Sequence, residues 1–383
     1  MRHRRTPPWA VLISAAAIGM LLGGCASTPP APNQPAASSP TAASAAESAG
    51  APTLVGEPQV VASGLKSPWS IAFTTDGTAL VSERDSGRIL EVLRDGGTRE
   101  VGLVDGVRHG GEGGLLGLAI DSADRLYVYS TGATGNRIER FALAGGPGAY
   151  GMGAPETIIE ALPSAAVHNG GRIAFGPDGM LYAGVGDASD RDTAQDLASL
   201  GGKILRMTPD GDVPQDNPIP ESLVYSAGHR NVQGLAWAED GTMFASEFGQ
   251  NTWDELNIIT PGGNYGWPVV EGMGVEGMGV EGTGGAGSGF VDPILQWSPS
   301  EASPSGVAIA DGAVFLANLR GQVLRVVAVS DPGAVTDYYA GELGRIRDVV
   351  RAPDGALWLL TNNTDGRGQP TGGDDKILAV TLG

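Results

Sequence analysis

Ile173-Ala-Phe-Gly-Pro-Asp-Gly-Met-Leu-Tyr-Ala-Gly-Val185 reads as a short strand, a tight turn at Asp178-Gly179 and a second strand. Glycine accepts the positive φ that such a turn requires, so Asp-Gly between two apolar runs predicts a β-hairpin. The pattern recurs along the chain. Ile71-Ala72-Phe73 precedes Asp76-Gly77, Leu118-Ala119-Ile120 precedes Asp124, and Leu235-Ala236-Trp237 precedes Asp240-Gly241. Val307-Ala308-Ile309 precedes Asp311-Gly312, and Val349-Val350 precedes Asp354-Gly355. The aligned residues Ala72, Ala119, Ala174, Ala236, Ala308 and Val350 are 47, 55, 62, 72 and 42 residues apart. That spacing suits a four-stranded blade with its loops, which predicts an all-β, six-bladed β-propeller of four-stranded antiparallel blades. A pair of β-sandwiches would not need one hairpin pattern six times.

Composition agrees with a turn-rich β fold. The chain has 383 residues, 41% of them hydrophobic, enough for a sizeable core. Its 61 glycines follow no Gly-X-Y period, which excludes collagen. With 24 Lys and Arg against 43 Asp and Glu the formal charge is −19, and such a field repels phosphate backbones. Nucleic acid is therefore not an expected partner. A single cysteine excludes an internal disulfide framework and a Cys-based zinc site.

That cysteine has a telling position. Arg2, Arg4 and Arg5 precede an apolar run from Trp9 to Leu22, and Gly23-Gly24-Cys25 follows. This is the pattern of a secretory signal, too short to span a bilayer. It resembles a bacterial lipobox, which implies residues 1–24 as a lipoprotein signal peptide and lipidation at Cys25. Residues 25–56 are rich in Ala, Ser, Pro and Thr, cannot bury enough surface to offset their ordering entropy, and read as a flexible tether. The propeller is expected over 57–383. Within it, Glu271-Gly-Met-Gly-Val and Glu276-Gly-Met-Gly-Val repeat in tandem, and 271–289 reads as a mobile surface loop.

Equivalent residues of successive blades face a propeller's axis together, so chemistry should collect just before each hairpin. Those stretches are Lys66-Ser-Pro-Trp69, Glu112-Gly-Gly, His168-Asn-Gly-Gly-Arg172, Arg230-Asn231-Val-Gln233, Ser303-Pro-Ser305 and Arg345-Ile-Arg347-Asp348. Each is polar at nearly the same repeat position. Asp187 ends the strand that follows His168, where it returns to the same end of the blade. A carboxylate that orients an imidazole makes a general base, although a histidine beside glycines also serves as a structural hydrogen-bonder. Spacing leaves both roles open.

Longer motifs carry a resemblance. His168-Asn-Gly-Gly-Arg-Ile-Ala-Phe-Gly-Pro-Asp-Gly, Gln195-Asp-Leu-Ala-Ser-Leu-Gly-Gly-Lys-Ile-Leu-Arg, Gly228-His-Arg-Asn-Val-Gln-Gly-Leu-Ala-Trp and Asn264-Tyr-Gly-Trp-Pro resemble the soluble glucose/sorbosone dehydrogenases that use pyrroloquinoline quinone (PQQ), aldose sugar dehydrogenases among them. The likeness runs in order from about Pro58 to the C-terminus. It implies PQQ on the propeller's top face, calcium polarising the quinone, and hydride transfer from a sugar or polyol hydroxyl carbon. It also implies His168 as base, Asp187 as its partner and Arg230 beside the reacting oxygens. Glu112, Asn231, Gln233, Ser300, Arg320, Arg345 and Arg347 would contact the cofactor. Carbonyls of Gly249 and Gln250 would hold the calcium on PQQ, and Glu255 with the Tyr265 carbonyl a second, structural calcium. The electron acceptor is not specified.

Four departures from the family pattern stand out. Glu112 replaces a Gln, Arg320 replaces a Lys, Phe248 and Gln250 replace a polar residue and a Pro, and Ser300 to Ser305 carries one extra residue. A lipid-tethered binding module without quinone chemistry and a calcium-dependent lactonase are the alternative functions, because a fold alone does not choose chemistry.

Overall fold

The computed structural model describes residues 52–273 and 289–383, so Cys25, the signal peptide and most of the tether lie outside the described residues. The first strand, β1 (Leu54–Ser63), starts slightly before the expected boundary at Glu57. Blade one contains β2 (Pro68–Phe73), β3 (Ala79–Glu83), β4 (Arg88–Val92) and β5 (Thr98–Leu103); blade two contains β6 (Leu115–Ile120), β7 (Arg125–Thr131), β8 (Asn136–Ala144) and β9 (Gly151–Leu162). Blade three is β10 (Ile173–Phe175), β11 (Leu181–Val185), β12 (Lys203–Met207) and β13 (Val224–Ala227), with a 3₁₀ turn at Arg191–Ala194. Blade four is β14 (Val232–Trp237), β15 (Met243–Glu247), β16 (Asp254–Ile259) and β17 (Leu295–Trp297). Blade five is β18 (Pro304–Ala310), β19 (Ala313–Asn318), β20 (Val323–Ala328) and β21 (Asp331–Tyr338). The last blade joins β22 (Ile346–Arg351), β23 (Leu357–Thr361) and β24 (Lys376–Leu382) to β1, so both ends of the propeller share one sheet.

All pairings between the named strands are antiparallel, and the first strand of each blade touches the first strand of the next around a closed ring. The molecule is a six-bladed β-propeller. Each hairpin read from sequence is the inner pair of one blade. In the turns, Gly77, Gly179, Gly241, Gly312 and Gly355 take positive φ, while in blade two Asp124 itself does so at +55°. Asp76, Asp178, Asp240 and Asp354 also accept the backbone N–H two residues on, as Asp178 does from Met180 at 3.1 Å.

Alternation along the strands makes the core. Leu181, Ala183 and Val185 of β11 pack toward blade two, whereas Tyr182 packs toward blade four. Both faces of each middle strand are thus buried, which explains why these strands read as unbroken apolar runs. The described residues form six apolar clusters, one at each junction between neighbouring blades. The ring is thus packed at every blade junction, and the loops at its end are arrayed around the axis.

Candidate active site

Inner strands begin, and second strands end, at the same end of the propeller. There the loops surround a cavity of about 260 Å³ lined by Glu112, His168, Arg230, Phe248, Gly249, Asp254, Pro299, Ser303, Leu319, Arg320, Arg345 and Arg367. The stretches before five inner strands thus converge on it. A larger groove, about 970 Å³, lies beside the β2–β3 and β4–β5 turns and contains none of them.

His168 sits in the loop before β10 with φ of +59°. Its backbone N–H donates to Glu112 Oε2 at 2.8 Å, and its Nδ1 lies 2.7 Å from Asp187 Oδ1. Arg230 Nη2 lies 2.7 Å from Nε2 of the same ring. Arginine only donates, so Nε2 is the acceptor and Nδ1 carries the proton toward Asp187. The Nε2 lone pair is thus directed at Arg230 on the cavity wall. Gly186 makes this possible, because a Cβ there would meet the His168 carbonyl oxygen at 2.0 Å.

Asp187 is fully buried. Burial pushes its carboxyl up, but hydrogen bonds from His168, Ser189 and the Trp267 indole outweigh that and hold it below the usual carboxylate range. Arg230 reaches the carbonyls of Phe248 at 3.0 Å and of Gly249, and burial draws its guanidinium down from its ordinary value. Asp254 accepts the N–H groups of Gly249 and Ser303 at 2.8 and 2.7 Å, and burial pushes it up to about 6.

Four guanidinium groups, those of Arg230, Arg320, Arg345 and Arg367, face two carboxylates across this cavity. Arg345 pairs with buried Asp365 at 3.0 Å, and Arg367 pairs with Glu112 at 3.3 Å, which offsets the charge of that departure from the family pattern. Arg320 is exposed and has no partner among the described residues. The buried Nε groups of Arg230 and Arg345 lack hydrogen-bond acceptors. A cradle rich in such donors fits an anionic quinone bearing carboxylates.

Several expected contacts lie elsewhere. Asn231 and Gln233 do not line the cavity: Asn231 accepts Gly170 N–H of the neighbouring blade at 2.9 Å, and Gln233 accepts from Arg347 of the last blade, across the axis, at 3.0 Å, so their amides tie blades together. Arg347 is buried further along the axis, 5.2 Å from the Trp69 ring centroid, and bonds Ser305 rather than facing the cavity. Ser300 is exposed and bonds Ser298, whereas Pro299 and Ser303 of its segment line the cavity. Gln250 is exposed, with its N–H 2.6 Å from Glu271. Glu271 accepts the N–H groups of residues 250–253, so the start of the expected mobile loop is anchored; residues 274–288 lie outside the described residues.

For calcium, Gly249 presents a carbonyl at the cavity, where it accepts from Arg230. Glu255 and Tyr265 line an adjoining cavity of about 10 Å³, together with Glu247 and Glu271, and Arg230, Phe248 and Gly249 border both. Burial and the two neighbouring carboxylates push Glu255 up to about 8, a cost that a cation in this small space would relieve. Among the described residues no three or more His, Cys, Asp or Glu side chains are grouped to hold a metal, so carbonyl oxygens must complete either site.

Trp267, Arg367 and Asp254 are site residues that the sequence reading did not assign, although Trp267 lies in the quoted Asn264-Tyr-Gly-Trp-Pro motif. Ser226, His229 and Glu247 also form a line of hydrogen bonds, 2.8 Å at each step. It resembles a hydrolytic triad, but all three are buried and Ser226 faces no cavity described above. Glu247 instead accepts the Arg230 N–H and so fixes the arginine that meets His168.

Residues 65–370 match the family model for glucose/sorbosone dehydrogenase. The chain belongs to this family of oxidoreductases. It is 50% identical to the PQQ-bound aldose sugar dehydrogenase of Streptomyces coelicolor, with a TM-score of 0.79 over 87% of this chain and 100% of that one. It is 30% identical to the aldose sugar dehydrogenase YliI of Escherichia coli over 80% of this chain and 90% of that protein. With the quinoprotein glucose dehydrogenase B of Acinetobacter calcoaceticus it shares 32% identity over 56% of this chain and 52% of that protein.

Proposed function

We propose that this protein oxidises an aldose or polyol hydroxyl with PQQ and calcium, and that it is exported and lipid-anchored through Cys25. The observation that carries the chemistry is His168 at the cavity wall, backed by Asp187 through Nδ1 and met by the Arg230 donor at Nε2, which a substrate hydroxyl would displace. Arg230, Arg320, Arg345 and Arg367 would hold the anionic cofactor. PQQ, when bound, supplies the hydride acceptor, and calcium polarises it.

His168 Nε2 takes the hydroxyl proton, and the buried carboxylate of Asp187 stabilises the imidazolium that results. Arg230 lies beside Nε2 and meets negative charge that develops on the substrate oxygen. Oxygen-donor chemistry suits calcium at Gly249 and at Glu255 with Tyr265. The test is reconstitution: mature protein given PQQ and calcium should reduce the quinone with members of an aldose panel. Failure to bind PQQ would favour the binding-module alternative.

A further inference from the structure

We infer that Trp267 is a positioning residue for proton transfer: its indole N–H fixes Asp187 in the orientation that leaves His168 Nε2 as the basic nitrogen. Asp187 Oδ1 receives His168 Nδ1 at 2.7 Å and Ser189 N–H at 2.8 Å. Oδ2 receives the Trp267 indole at 2.8 Å. A carboxylate held along one edge can turn about its terminal torsion, which is broad for Asp. A donor on the second oxygen stops that turning, and in a fully buried site it also prevents an unsatisfied acceptor.

The indole is itself firmly seated. Trp267 donates its backbone N–H to the Gly228 carbonyl at 2.9 Å, and its carbonyl accepts from Gln195 at 2.7 Å. Gln195 and Asn264 exchange two amide hydrogen bonds of 3.0 and 2.8 Å, clasping the two loops. The Arg191 guanidinium lies 4.6 Å from the ring centroid. The Arg230 guanidinium lies 5.5 Å from the same ring, so the indole touches both the carboxylate behind His168 and the cation in front of it. If Asp187 turned away, the imidazole would lose its reason to protonate Nδ1. Arg230 alone would then favour this tautomer, and wherever it withdrew, a proton on Nε2 would remove the acceptor that proton abstraction needs.

The inference rests on the dehydrogenase reading only for its kinetic readout. Two variants test it: Trp267→Phe, and an isostere carrying a benzothiophene ring at 267, in which sulfur replaces the N–H and shape is kept. Imidazole nitrogen NMR of histidine-labelled protein without sugar should show bare Nε2 at His168 in wild type and mixed tautomers in the isostere. In PQQ-loaded enzyme the isostere should lose about 10- to 100-fold in kcat, the worth of a hydrogen bond to a charged group, with KM unchanged. The acid limb of kcat/KM should move to higher pH, because Asp187 loses a donor that keeps its carboxyl low. A purely structural role would lower Tm and leave tautomer and pH profile alone. Wild-type tautomer and pH profile in the isostere would overturn the inference, whether or not Trp267→Phe folds. If wild type oxidises no sugar, the dehydrogenase reading fails and the tautomer measurement alone decides this one.

Discussion

The Arg230 guanidinium meets His168 Nε2 at 2.7 Å and, with its other Nη, the carbonyls of Phe248 and Gly249. One cation therefore spans the base and the carbonyl proposed for calcium. A substrate hydroxyl that gives its proton to Nε2 must enter beside this fork. Arg230→Lys keeps the charge but loses the planar pair of donors. The expected outcome is a kcat lowered by about 10-fold or more, the scale of a lost charge-assisted hydrogen bond, measured by steady-state oxidation.

Arg320 separates cofactor binding from folding. It lines the cavity, is exposed, and pairs with nothing among the described residues. Arg320→Ala should leave Tm unchanged without PQQ while weakening PQQ binding by about 10-fold, the scale of one exchanged charge-assisted hydrogen bond. Absorbance titration of PQQ with each protein measures it. Arg345→Ala would be a less clean test, because it also strands the buried Asp365 carboxylate.

Calcium should leave a pH signature at Glu255. Burial and then the neighbouring Glu247 carboxylate raise its folded pKa to about 8, far above the ordinary glutamate value. A raised carboxyl contributes stability that is fully present below its unfolded pKa and is lost as pH rises through the folded one. In chelator, Tm should therefore fall between about pH 5 and pH 8 from this group, and calcium should oppose that fall. Calorimetry in two buffers of different ionisation enthalpy should show proton release on calcium binding near pH 7. Identical melting with calcium and with chelator would contradict the site.

The hairpins were legible in the sequence because Asp-Gly turns are local: the turn at Asp311-Gly312, with φ of +47° and +76°, needs only its own residues. Closure of the ring was not, since β1 is largely exposed and meets β24 with no turn between them. The His168–Asp187 pair was legible from the strand that joins them. Trp267 and Arg367 come from loops of other blades, and no spacing connects either to its partner. Arg347 and Gln233 share the repeat position of true cavity residues, but they lie further along the inner strands and turn inward to one another.

Anchoring is tested at Cys25. Cys25→Ser should move the protein from the membrane fraction to the medium, read by immunoblot of fractions. Unchanged membrane retention would contradict lipidation.

The most direct measurement of the central claim is a single turnover of protein loaded with PQQ and calcium, mixed with a saturating aldose without oxygen, with quinone reduction followed by absorbance. Wild type should reduce its quinone, and His168→Ala should keep PQQ bound yet react about 10²- to 10⁴-fold more slowly, the usual worth of a general base. A His168→Ala protein that reduces its quinone as fast as wild type would contradict the assignment of the base.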